Sequence, residues 1–235
     1  GVGIHVESAS PSCAFETNPR FLRFESDETP TARYLVHCTD EVTAPAFTQV
    51  FDTKLGWQLG RNDRDQWIFT TRSPTHDPNA VAVLSPDFRK GDISLRLNDD
   101  GKGVDFPLNR PLGEVLMVHL LSQGYGLMVH ACGVKYGDRG LLFAGHGESG
   151  KSTTARLWRE EPGAEVLGDD RIIIRKREGR FWMYGTPWPG QGGVFRPEAA
   201  AIERVFIIHH AARNSAQRLS RTQSVAGLLA RCFPT

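Results

Sequence analysis

LLFAGHGESGKSTTARLWR, residues 141–159, decides how the rest of the chain is read. Within it Gly145, Gly150, Lys151 and Ser152 meet the spacing G-x-x-x-x-G-K-[ST], in which successive backbone N–H groups surround a phosphate. The apolar residues 141–144 predict a strand before the loop and residues 153–159 a helix after it, so a phosphate is expected at a helix N-terminus. Gly145, Gly147 and Gly150 let the backbone come close to phosphate oxygens without a Cβ in the way. The amides of residues 147–152, with Glu148, Ser149 and Thr153 in the loop, are expected to hold the phosphates, Lys151 to neutralise them, and the Ser152 hydroxyl to ligate Mg²⁺. A Gly-rich turn with no ligand is the plainer alternative, but it does not call for strand, loop and helix in that order.

Outward from the loop, residues 126–129 and 133–136 read as two strands with His130 between them, and residues 137–140 (GDRG) as a tight turn into the loop strand. A histidine in such a segment is ordinarily a core residue. Downstream, VLGDDRIII at residues 166–174 places Asp169 and Asp170 at the start of a strongly β-prone run. Adjacent carboxylates point to opposite sides of an extended chain, so one can face a metal while the other faces a hydroxyl acceptor. Only 17 residues separate Lys151 from Asp169, room for a short helix and a turn, which argues against a small GTPase or a motor-type ATPase. Residues 181–193 (FWMYGTPWPGQGG) read as an aromatic, Pro- and Gly-rich loop, followed by Arg196, a strand at 205–209 and a helix at about 224–231.

Residues 1–109 carry strand signals at 32–38, 66–71, 80–84 and 93–97, with a hairpin over 57–69 that turns at 61–65. Asn-Asp, Ser-Pro, Asp-Pro and Asp-Asp-Gly pairs between them mark turns. At Pro111 the period changes: Leu112, Val115, Leu116, His119 and Leu120 share one face of a helix over 111–122, in which His119 reads as an ordinary core or boundary residue. The expected division is a β-rich N-terminal module over 1–109, which would help to hold a substrate, and a nucleotide-binding domain over 110–235.

With 28 basic against 27 acidic residues, the charge gives no field directed at nucleic acid or an anionic membrane. No apolar run approaches the roughly 20 residues of a membrane helix, and the expected location is the cytoplasm. Cys13, Cys38, Cys132 and Cys232 are scattered without a CxxC pair and read as thiols in a reducing compartment. The chain begins at Gly1 and stops just after an apolar, helix-like run, so it is expected to be an excerpt with C-terminal structure missing.

Residues 112–234 resemble the catalytic domain of the HPr kinase/phosphorylase family, grouped by fold with ATP-dependent phosphoenolpyruvate carboxykinases. The resemblance rests on GYGLMVHACGV, GHGESGKSTTARLW, GDDR and GTPWPGQGGVFRPEAAAIERVFII, in that order. The whole chain is most similar to HPr kinase-like proteins with a β-rich N-terminal region, some of which accompany peptide-modifying enzymes such as those of lasso-peptide clusters.

The resemblance implies an α/β fold of the P-loop kinase type and transfer of the γ-phosphate of ATP, with Mg²⁺, to a serine of a peptide or protein. It implies Asp169 as the base, Ser152 and Asp170 at the metal, His130 near phosphate or the carboxylates, and Arg196 at the transferring phosphate. Relatives form oligomers, so self-association is implied too. His146 stands where the family has Asp, and the Thr-Pro-Trp-Pro core of the 181–193 loop is foreign to it, so HPr itself is not the expected acceptor. Two other readings stay open here: a kinase for free serine or a sugar, and a sensor that binds nucleotide without transfer.

Overall fold

A computed structural model describes residues 1–15, 18–54, 56–71, 78–98 and 103–233. The Ser73-Pro74 and Asp99-Asp100-Gly101 turn signals, Asp77 of the Asp-Pro pair, and Pro234 lie outside the described residues. The chain forms two compact units: Gly1–Asn18 with Ser26–Leu120, and Pro19–Glu25 with Leu121–Thr235.

The first unit is built on one seven-stranded sheet. Its strands are β1 (Ile4–Ser8), β2 (Ala32–Thr39), β3 (Thr48–Asp52), β4 (Trp57–Arg61), β5 (Trp67–Thr71), β6 (Ala80–Leu84) and β7 (Lys90–Arg96), in the spatial order β1-β2-β7-β6-β5-β4-β3. β1, β2 and β7 run parallel, and the others join by antiparallel pairing. β2 shows why a strand forms here: Ala32, Tyr34 and Val36 are buried and alternate with more accessible residues, the period of a half-buried strand. The expected hairpin over 57–69 is β4–β5, while β1 and β3 were not foreseen.

The helix α1 (Pro19–Leu22) falls in the second unit, and α2 (Leu112–Leu120) in the first. α2 buries Leu112, Val115, Leu116 and Leu120, the face expected from the periodicity. His119 stacks on Phe88 with ring centroids 4.0 Å apart, and its Nδ1–H donates to the Val115 carbonyl at 2.8 Å. Burial pushes this imidazole below its ordinary value, the hydrogen bond to Val115 opposing the shift. Protons therefore favour the unfolded chain. Stability from this site is complete above the ordinary imidazole value, about 6.5, and is lost as pH falls below it. The unfolding free energy of the first unit, from urea titration, is expected to fall between pH 7.5 and 5.5, by at most about 1.4 kcal/mol per pH unit, and His119→Phe to flatten that slope.

The thiol reading of the cysteines is corrected in this unit. Cys13 and Cys38 form a disulfide with Cα atoms 5.4 Å apart, while Cys132 and Cys232 are free. The spacing of 25 residues says nothing of this. Parallel pairing of β1 with β2, continued by the Ala9 N–H to the Val36 carbonyl, carries residue 13 back alongside the end of β2. A bridge closing a loop of that length stabilises by about 3.5 kcal/mol in the chain-entropy view. A Cys13→Ser/Cys38→Ser double variant is expected to lose that amount in equilibrium urea unfolding.

The second unit overturns the α/β expectation. After a π turn (Leu121–Tyr125) come β8 (Leu127–Tyr136), β9 (Arg139–Ala144), α3 (Lys151–Arg159), β10 (Ala164–Gly168), β11 (Arg171–Arg177), β12 (Arg180–Tyr184), β13 (Ala199–Ile207) and α4 (Arg221–Leu229). The sheet order is β10-β8-β11-β12-β13-β9, and the further β8–β9 pairing closes five of these strands into a barrel. All the pairings are antiparallel except β13 with β9.

Such a sheet needs only tight turns between neighbours, whereas an α/β layer needs a helical crossover for each parallel pair. Gly137 and Glu178-Gly179, all at positive φ, supply turns of that kind. The chain is thus mostly β, with thirteen strands in two sheets among the described residues and few helices. The two strands expected at 126–129 and 133–136 are one strand, β8, with His130 inside it. The barrel interior holds Val129, Ala131, Leu142, Ala144, Leu167, Ile172, Met183 and Ala200. Cys132, Val134, Ala155 and Val166 seat α3 on the strands.

Candidate phosphate site on the barrel rim

The loop between β9 and α3 takes the form its spacing calls for. Gly150 sits at φ 99°, a left-handed conformation suited to glycine, and precedes the first helical residue, Lys151, with no side chain capping the helix. Glu148 is also left-handed, at φ 61°. Left-handed turns of this kind direct consecutive N–H groups to one side, the concavity that receives an anion. Gly147, Ser152 and Thr153 border this surface, with the last two exposed in the first turn of α3. Gly145 is buried, its N–H held by the His130 carbonyl at 3.1 Å, and the Oγ of Ser149 is buried close by without a hydrogen-bond partner.

Lys151 is only 6% exposed, and its ammonium donates to the carbonyls of Gly145 at 3.0 Å and His146 at 2.6 Å. Burial, and after it the charge of Arg171, push Lys151 below the ordinary lysine value, with Cys132 and Asp169 acting the other way. The Cys132 thiol is pushed up to about 12 by burial and by the Asp169 charge, so it is not a thiolate at neutral pH. These mutual influences put Lys151, Asp169, Cys132 and Arg171 in one electrostatic neighbourhood.

The two aspartates have different surroundings. Asp169 is 1% exposed, and its carboxylate accepts from the Gly190 N–H at 2.9 Å and from the Gly192 N–H at 2.6 Å. Asp170 is half-buried; one oxygen meets Nε2 of His130 and the other the Arg171 guanidinium. Strand pairing sets this up: Arg171 is opposite His130 across β11 and β8, and the Ala131 N–H bonds to the Asp170 carbonyl at 3.1 Å. Arg171 also lies over the Phe233 ring at 4.6 Å. Arg196 follows the 190–192 loop. Its N–H donates to Leu167 at 3.0 Å and its side chain is exposed.

No protein-family model matches the chain, and neither does any curated protein.

Three contributors were not foreseen. Arg171 was read only as part of a β-prone run, yet it is the cation that holds Asp170. Gly190 and Gly192 were read as loop glycines, yet they are the partners of Asp169. A Cβ on Gly192 would lie 2.5 Å from Asp169 Oδ2, and one on Gly190 would lie 2.8 Å from Asp170 Cβ. The signal was present in PGQGG, since glycines recur where a backbone must come close to another group.

Among the described residues no three His, Cys, Asp or Glu side chains gather into a metal cage, and no helix is long and apolar enough to cross a membrane. The oxygen donors expected at the metal are the exposed Ser152 hydroxyl and the Asp170 carboxylate, which His130 and Arg171 already engage. Such an all-oxygen set suits Mg²⁺ when phosphate oxygens complete it.

Proposed function

We propose that this chain is an ATP- and Mg²⁺-dependent kinase that transfers the γ-phosphate to a hydroxyl, with a serine of a peptide or protein as acceptor. One observation carries this reading. A glycine-rich loop with two left-handed residues opens α3 beside a buried lysine, and the His130–Asp170–Arg171 group belongs to the same barrel. A loop that only binds nucleotide has no use for that second group.

In this reading the amides of residues 147–152 and Lys151 hold the phosphates. Ser152 would hold Mg²⁺ together with phosphate oxygens, whose charge the ion would offset; Asp170, paired with His130 and Arg171, is left to another role. The base role assigned to Asp169 moves to Asp170. Both carboxylates are engaged, but Asp169 is 1% exposed and held by backbone N–H groups, whereas the Asp170 side chain is 13% exposed and meets His130, which can pass a proton on. Asp169 positions the 190–192 loop instead.

The test is transfer of ³²P from labelled ATP with Mg²⁺ to serine peptides, small proteins and free serine, run with and without reductant. The reductant arm matters because ATP points to the cytoplasm, while the Cys13–Cys38 bridge is a bond of oxidising compartments. Acid-stable label on a peptide supports the reading. Tight ATP binding with no transfer to any acceptor overturns it in favour of a sensor.

A further inference from the structure

We infer that His210 is a positioning residue of the phosphate loop, acting through the carbonyl of Glu148; the inference rests on the loop's being a nucleotide site. Nε2 of His210 is hydrogen-bonded to that carbonyl. A carbonyl oxygen only accepts, so Nε2 carries the proton and donates. The chain is brought there by the barrel. β13 pairs parallel with β9 up to Ile207 against Ala144, and the next N–H, that of Ile208, donates to the Ala144 carbonyl at 2.9 Å. The strand direction thus continues past the sheet and beside the loop. A Cβ on Gly145 would lie 2.8 Å from Ile208 Cγ1, which shows how close this passage is.

The bond matters because of which peptide it holds. Glu148 has φ 61°, a left-handed conformation that a residue with a Cβ adopts only with strain. The peptide plane joining Glu148 to Ser149 is rigid and trans, so its C=O and N–H point in opposite directions. Fixing the carbonyl from the His210 side therefore fixes the Ser149 N–H on the other side, where it donates to the His146 carbonyl at 3.3 Å and closes the turn that shapes the phosphate loop. His210 touches no phosphate in this scheme. It keeps the 146–149 turn closed, and so lowers the reorganisation that binding would otherwise require.

Two measurements test this. Amide hydrogen exchange of the segment 146–152, without nucleotide, is expected to be several-fold faster in His210→Ala than in the wild type. Unchanged exchange overturns the clamp whatever the protein binds. Nucleotide titration with Mg²⁺ is expected to show about 5–10-fold weaker binding in His210→Ala, with KM rather than kcat carrying the change. His210→Gln, whose amide N–H reaches to the same place, should recover most of it. In a Glu148→Gly background, where the left-handed turn is free of strain, His210→Ala should have a smaller effect. Equal affinity of wild type and His210→Ala overturns the role in binding. A wild type that binds no nucleotide, with exchange still accelerated in the variant, overturns the nucleotide reading and leaves the clamp standing.

Discussion

Replacing Asp170 with Asn is expected to lower phosphoryl transfer by about 10²–10⁴-fold while nucleotide affinity changes only a few-fold. In the proposed reaction the carboxylate would accept the hydroxyl proton, and an amide of nearly the same shape cannot. Its two partners make the prediction specific. His130 meets one oxygen and the Arg171 guanidinium the other, so the Asn side chain can still satisfy one of them through its carbonyl. The unit should fold, with a loss of about 1 kcal/mol for the weakened charge pairing in a half-buried place. Transfer at the wild-type rate by a folded Asp170→Asn protein would remove Asp170 as the base.

Asp169→Asn should fail differently. Here both carboxylate oxygens receive backbone N–H groups, from Gly190 and Gly192, with almost no access to water. An amide turns one of those acceptors into a donor and sets N–H against N–H. Losing a charge-assisted bond and leaving a buried donor unmet amounts to about 2–4 kcal/mol, or on the order of 5–15 °C in the unfolding midpoint of a protein this size. Thermal unfolding followed by circular dichroism, with proteolysis at the 186–193 loop, would show it. Gly192→Ala should give a related phenotype by pressing a methyl on the same oxygen. A variant as stable as the wild type, with an intact loop and no transfer, would return the base role to Asp169.

The sequence made local features legible and left closure hidden. Strand, loop and helix around Gly145–Ser152 could be read because a spacing of glycines, a lysine and a hydroxyl has a direct backbone meaning. The strand over residues 80–84 and the β4–β5 hairpin could be read because β-branched and aromatic runs met turn residues at their ends. The barrel could not. Its one parallel pair, β13 with β9, joins residues about sixty positions apart, and no periodicity records which strand lies next to which. β3 escaped notice because its side chains are nearly all exposed and so lack alternation, and the Cys13–Cys38 bridge because spacing alone does not encode proximity. Of the candidate site, the residue types were legible, but their division of labour was not. GDDR looks symmetrical on paper, whereas the fold gives one aspartate a backbone loop and the other a histidine and an arginine.

The chain segment Pro19–Glu25 groups with the barrel although about a hundred residues separate the two in sequence. Within that unit Phe21 meets Trp188 edge-to-face at 6.2 Å, and Arg23 lies over the Phe195 ring at 5.8 Å. During synthesis this strap leaves the ribosome before any barrel strand exists, so it must wait for its partners until Trp188 and Phe195 have been made. A fragment cut to start at Leu121 would lack it altogether and leave Trp188 and Phe195 without these neighbours. The barrel is therefore not a module that one cut can free, and exchanging it between proteins would require moving two separate stretches of gene.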